Sequence, residues 1–172
     1  MKTKRMLACF GLLLAIFGCY GSPPPEPPCF DLSMGDSVAT ETRIQRDMSR
    51  RPKRIWHVRR DSTGSWIPHG RDVHYFLNGQ ASAIEWYRDG KLDGASSYWH
   101  ENGAKQGEIT YRTGKAQGVA RTWYDQGQVE SERTWVDGAL EGLERRWDRR
   151  GHPVLEIVWR GNKIVERREF HD

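Results

Sequence analysis

Histidines, serines and carboxylates are the residues from which an active site or a metal centre would be built, and their spacing here builds neither. His57, His69, His74, His100, His152 and His171 share no metal-ligand spacing. His69 takes a position held elsewhere by Asp93, Gln117 and Glu141, which makes it a surface loop residue. His74 and His100 become metal-ligand candidates only if the fold brings them together. Ser96, Ser97 and Ser131 sit in no nucleophile-elbow setting. Asp89, Asp93 and Glu101 fall among turn residues, where bonds to nearby backbone account for them. No catalytic residue, cofactor or metal is therefore expected. The remaining chemistry belongs to aromatic rings, Tyr75, Trp99, Trp123 and Trp147 in one series and Tyr87, Tyr111, Trp135 and Trp159 in another. Such rings serve either as stacked core or as an open groove that stacks on sugars or holds choline by cation–π attraction.

Both series have a period of 24 residues, and so do the residues that must position them. Gly70, Gly94, Gly118 and Gly142 share it, as do Gly79, Gly103, Gly127 and Gly151. Gly90, Gly114 and Gly138 repeat with Asn162 in the fourth place, and Leu92, Ala116, Leu140 and Ile164 form an aliphatic column. Each unit has two turn signals, Asn102-Gly103 and Thr113-Gly114 in one copy, and the runs between them are too short and glycine-punctuated for helices. The unit is a β-hairpin, and the expected fold is all-β, an elongated twisted antiparallel sheet of consecutive hairpins.

If every apolar column is to share one face, strand alternation dictates the turns. Glu101-Asn102-Gly103 must be a three-residue loop with Gly103 at its left-handed third position, and a two-residue loop at Asp89-Gly90 places Tyr87 opposite Leu92. Leu92 and Trp99 differ by an odd number, so one extra residue must enter between them. That predicts a β-bulge at Gly70, Gly94, Gly118 and Gly142, with all eight rings looking the same way. At the edges of the sheet, Val165 to Phe170 is protected by Glu166, Arg167, Arg168 and Glu169, and Ile55 to Trp66 is an irregular half-repeat that acts as a cap. Glu41 to Asp47 is either a strand paired with Ile55 to Arg59 or a short helix.

The unit Gly94-x-x-x-Tyr98-Trp99-x-x-Asn102-Gly103, followed by Tyr111, Gly114-Lys115 and Gly118, resembles the MORN repeat, in the variant found in bacterial proteins named YwqK-family antitoxins. The resemblance covers about residues 66 to 170. It implies an elongated sheet of successive hairpins, an association with membranes and protein assembly, and, from the antitoxin name, the binding and neutralising of a toxin.

The N-terminus supplies an address. Lys2, Lys4 and Arg5 precede an uncharged, mostly apolar run from Met6 to Gly18, the pattern of a signal peptide. Ile16-Phe17-Gly18-Cys19 resembles the lipobox of bacterial lipoproteins, in which the cysteine is diacylated and becomes the new N-terminus. Two or three acyl chains on Cys19 would anchor the protein stably in the membrane. Tyr20 stands where an inner-membrane retention signal would have aspartate, which favours the outer membrane in a Gram-negative source.

Removing the three basic residues of this leader from the 27 leaves 24 against 23 acidic, so net charge gives no support to nucleic-acid binding. The basic cluster from Arg50 to Arg60 is expected to be a solvated strand or loop. Cys9 leaves with the leader and Cys29 is left alone, so no disulfide framework is expected. Ser22 to Pro28 holds five of the eight prolines and forms a semi-rigid spacer.

The chain thus divides into a leader over 1–18, an anchor and linker over 19–54, a capping half-repeat over 55–69 and a repeat domain over 70–172. The expected function is that of a non-catalytic scaffold with a protein partner, lipid-anchored in the cell envelope. An immunity-type protein that binds a toxin and an envelope glycan- or choline-binding repeat are the alternatives.

Overall fold

The computed structural model describes residues 39–170, and every regular element in that span is a β-strand. The leader, Cys19, Cys29, the proline-rich spacer and His171 lie outside the described residues. The strands are β1 (Glu41–Arg46), β2 (Pro52–Arg60), β3 (Trp66–Tyr75), β4 (Ala81–Arg88), β5 (Lys91–Leu92), β6 (Gly94–Trp99), β7 (Lys105–Arg112), β8 (Lys115–Trp123), β9 (Val129–Val136), β10 (Ala139–Leu140), β11 (Gly142–Trp147), β12 (Pro153–Arg160) and β13 (Lys163–Glu169). They form one sheet in the order β1-β2-β3-β4-β6-β7-β8-β9-β11-β12-β13, with β5 on β4 and β10 on β9. All pairings are antiparallel. Glu41 to Arg46 is a strand, pairing Ile44 with Ile55, so the sheet runs one strand beyond the irregular half-repeat.

The turns explain the order. Thr113-Gly114 has positive φ at both residues, 48° and 84°, as a two-residue hairpin turn requires. At the last such turn Asn162 sits at φ 65°, and its Oδ1 accepts a bond from the Leu140 amide. Each of these turns is also tied to the unit before it: the second residue's amide reaches the carbonyl of Pro68, Leu92, Ala116 or Leu140 at 2.7 to 3.1 Å. The loop after β6 closes with the His100 amide on the Ala104 carbonyl, and Gly103 takes the left-handed third position at φ 86°. On this edge too the units are stitched together, by Asn78 Nδ2 to Glu101 O and Asn102 Nδ2 to Asp125 O.

Two irregularities recur along the sheet, and together they overturn the expected facing of the rings. The first lies at Gly94, whose φ of 124° belongs to glycine. Tyr87 pairs with Leu92 and Ala83 with Tyr98, so six steps along one strand match four along the other. The excess is two residues, not the single residue expected, and an even insertion preserves alternation. The second irregularity follows the three-residue loop. Tyr98 pairs with Gly107 but Trp99 pairs with Lys105, which leaves Gln106 as an extra residue; Lys53, Ser82, Glu130 and Val154 are its equivalents.

Cross-strand partners share a face. Gly94 faces Tyr111 and Tyr98 faces Gly107, so Trp99, one residue past Tyr98, points to the other side. The rings at Tyr87, Tyr111, Trp135 and Trp159 occupy what is here termed face A, and those at Tyr75, Trp99, Trp123 and Trp147 occupy face B. A single ladder of eight does not form. On face A each ring stands between a glycine of the preceding strand and, across the two-residue turn, an aliphatic residue, as Tyr111 does between Gly94 and Ala116.

The buried apolar residues among those described are few: Val58, Ala116 and Ile157 on face A, Val73 and Ile84 on face B. A sheet with so thin a core depends on its ladder bonds and on contact between neighbouring units. Among the described residues no helix is long and apolar enough to cross a membrane.

Candidate functional site

Face A carries the buried charges. Asp72 on β3 pairs across the sheet with Glu85 on β4, and like charges so placed repel unless something compensates them. Arg54 on β2 supplies the compensation: Nε lies 3.0 Å from Asp72 Oδ1, and Nη2 bonds Oδ2. Asp72 is 1 % exposed, so this ion pair is shielded from water on the carboxylate side. The bond to Asp72 raises the Arg54 pKa further above its already high value. Glu85 accepts hydrogen bonds from the hydroxyls of Tyr87 (3.1 Å) and Tyr98 (2.8 Å). Burial, with Glu85 adding to it, pushes Tyr87 up to about 12 and Tyr98 higher still.

His74 Nε2 stands 3.4 Å from Asp72 Oδ1, and His74, Asp72 and Glu85 each bring a ligand atom within 4.8 Å of the others. That is a donor set of the right kind for a cation. Its charge is already answered, because Arg54 binds both Asp72 oxygens and the two phenols bind Glu85. His100 belongs to another site: its Nε2 lies 2.8 Å from the Trp123 carbonyl.

The same column continues at the period of the repeat through Ser96, Ala120 and Glu144. Glu144, 1 % exposed, accepts from Arg146 Nε (2.7 Å) and Trp159 Nε1 (2.8 Å). One unit earlier, Ala120 stands where Glu144 would be, and the buried Trp135 Nε1 has no hydrogen-bond partner. Sequence reasoning missed this column. Its signal was available, a fixed position two residues after Gly70, Gly94, Gly118 and Gly142 that carries Asp, Ser, Ala and Glu.

Face B is organised as one unbroken row across eleven strands. Ile44, Ile55, Val73 and Ile84 pair in succession, Ser97 follows, and then Glu108, Arg121, Glu132, Arg145, Glu156 and Arg168. The row is aliphatic in its first third and alternates in charge over its second half. Arg121 bonds Glu132 at 2.7 Å and reaches Glu108 at 3.6 Å, and Arg145 bonds Glu156 at 2.8 Å. Beside these charges stand Trp123 and Trp147. Lys105 bonds Glu108 and holds its ammonium 5.4 Å from the Trp123 ring centroid. Val129 takes the Lys105 position one unit later, and there an open depression forms among Gln128, Val129, Glu132, Arg145, Trp147 and Gly151.

All eight candidate rings, Tyr75, Trp99, Trp123, Trp147, Tyr87, Tyr111, Trp135 and Trp159, are half-buried. They are thus neither a sealed core nor a free groove, and each face receives four. The basic cluster from Arg50 to Arg60 is paired rather than merely solvated. Besides Arg54, Arg59 binds Asp89, whose carboxyl is held below its usual range chiefly by that bond, and Arg60 lies over the Trp66 ring at 4.3 Å. His69 lies within β3 and not in a loop. It bonds Asp89 at 3.1 Å, Gln117 bonds Asp137 at 2.6 Å and Glu141 accepts from the Gly161 amide, so three members of this column tie their unit to the next turn, while Asp93 faces Arg88 at 3.7 Å.

Residues 92–113 and 116–137 match the family model described as MORN repeat variant. The two matches begin at Leu92 and Ala116, 24 residues apart, each on the aliphatic residue that follows a two-residue turn. No curated protein matches the chain.

Proposed function

We propose that this chain is a non-catalytic interaction module, held at the cell envelope by acyl chains on Cys19 and presenting its repeat sheet to a protein partner. The observation that carries this reading is how the polar groups are spent. The buried acids of face A are bound by Arg54, Arg146 and a tryptophan, and the half-buried Glu85 by two tyrosines. The charges of face B pair from strand to strand along a row in place of converging on a reacting atom. MORN repeats in general are protein- and membrane-interaction modules, and two units of this chain match their variant. The lipobox-like Ile16 to Cys19 and the proline-rich spacer after it support the anchor, with the outer membrane favoured if the source is Gram-negative.

Two measurements test the reading. Radioactive palmitate should label the wild type and spare Cys19→Ala; equal labelling ends the anchor. Affinity capture of the intact protein from its own envelope extract should recover a stoichiometric protein partner, and a toxin among the captured proteins would turn the reading towards immunity.

The depression beside Trp147 favours one second reading, an envelope glycan stacked on that ring and bonded by Gln128, Glu132 and Arg145. Peptidoglycan fragments should then quench tryptophan fluorescence in the wild type and not in Trp147→Ala. Absence of quenching removes it.

A further inference from the structure

The charged half of the face B row reads Glu108, Arg121, Glu132, Arg145, Glu156, Arg168, one residue from each of six adjacent strands. An alternating row with an even number of members has a special property. Turned by a half-rotation about its midpoint, every position meets the opposite charge. The midpoint lies between β9 and β11. About an axis there, parallel to the strands, Glu132 meets Arg145 of a second copy, Arg121 meets its Glu156 and Glu108 meets its Arg168.

The rows on either side match under the same rotation. On one side Val119 pairs with Thr134, and Leu143 with Val158; the axis would bring Val119 onto Val158 of the second copy and Leu143 onto its Thr134. Val119 and Leu143 are 41 % and 38 % exposed, apolar side chains facing water. On the other side Trp123 pairs with Val129 and Trp147 with Pro153. The rotation would set Trp123 against the second Pro153 and Trp147 against the second Val129. The side chains of Arg121, Glu132 and Arg145 are 41 to 52 % exposed, so their intrachain bonds leave lone pairs and N–H groups free for a second partner.

We propose that the chain forms a symmetric dimer with a second copy of itself, face B against face B, over β7 to β13. This is an isologous contact, in which one self-complementary patch serves both partners. It names one partner for the interaction module and rests on that reading. Six strands at about 4.8 Å spacing span roughly 24 Å between the outermost charges. With its two flanking rows the patch lies at the small end of the ~800 Å² per partner of a standard interface. The dimer is therefore weak and sensitive to salt.

Sedimentation equilibrium of the full chain, in density-matched detergent and across a range of concentrations, reads the mass directly. At low salt the mass should rise with concentration towards twice that of the monomer, and salt should lower it. Glu132→Arg and Arg145→Glu should each weaken association by about tenfold or more. The double variant E132R/R145E restores opposite charges across the axis and should recover the dimer. Leu143→Arg, at an exposed position, should abolish it while thermal unfolding stays unchanged. A chain that is monomeric at every concentration overturns the proposal, as does a dimer that all these variants leave intact. Capture of a protein partner by a monomeric chain would overturn the dimer alone; a monomer that captures nothing would overturn both readings.

Discussion

On face A, Asp72 and Glu144 are each 1 % exposed and each is bound by an arginine of a nearby strand position. On face B, Arg121, Glu132 and Arg145 pair with charges just as near, yet roughly half of each side chain meets water. The two faces use the same chemistry under different solvation. A buried carboxylate without its cation keeps the full cost of lost hydration. An exposed one is rehydrated and screened, and its pair contributes little to folding. Face A charges therefore hold the sheet together, while those of face B remain available to meet something outside it.

The sharpest test removes the cation from one member of each set. Arg54→Met should destabilise the fold by about 3 kcal/mol, because Asp72 would be left buried with only His74, 3.4 Å away, beside it. Arg145→Met should cost at most about 1 kcal/mol, and equal losses in urea denaturation would erase the distinction between the faces.

A somewhat smaller effect lies at the glycines of the two-residue insertions. A Cβ added at Gly94, opposite Tyr111 on face A, would stand 3.0 Å from the Trp86 Cβ on face B, at a φ of 124°. Gly118 is the equivalent residue, but its φ is 75° and nothing lies within 4 Å of an added Cβ. Gly94→Ala should cost about 2–3 kcal/mol and Gly118→Ala about 1–2 kcal/mol. Thermal unfolding of the two variants side by side reads the difference.

The tyrosines of face A give that side a pH dependence. Tyr87 and Tyr98 stay protonated in the folded chain above pH 10, where the unfolded chain gives up those protons. Their contribution to stability is complete below pH 10 and is lost as pH rises towards 12 and beyond. The wild-type melting temperature should fall over that range, and the fall should be shallower in Y87F/Y98F. An identical slope would show that burial beside Glu85 does not govern these phenols.

The smallest effect is a gain. Ala120→Gln places a carboxamide where Glu144 accepts the Trp159 indole one unit later, and should satisfy Trp135 Nε1 for about 1 kcal/mol of added stability. No gain would mean that the Trp135 indole already has what it needs.

Much of this was legible in the residues. Positive-φ turns follow from Gly90, Gly103 and Asn162, and the pairing of Tyr87 with Leu92 follows from the length of the turn between them. The facing of Trp99 was not legible, because the bulge that decides it leaves no residue signature. Its extra residue is Lys53, Ser82, Gln106, Glu130 or Val154, five types with nothing in common. Asp72 and Glu144 were hidden for a different reason. A carboxylate in a column reads as exposed unless its partner is known, and Arg54 lies 18 residues from Asp72 in sequence. The Glu132–Arg145 adjacency likewise depends on the register between β9 and β11, which the two-residue insertion at Gly142 sets.

The bonds from each two-residue turn to the unit before it make this chain directional. Gly114 borrows the Leu92 carbonyl, Gly138 that of Ala116 and Asn162 that of Leu140. The last hairpin leans on its predecessor and has no successor among the described residues to lean on it. β13 has a neighbouring strand on one side only, so amide exchange should slow from it towards the middle of the sheet. Losing a whole internal unit of 24 residues would leave the same pattern of borrowing intact in a shorter protein, whereas losing 12 would bring together turns that have no carbonyl to share.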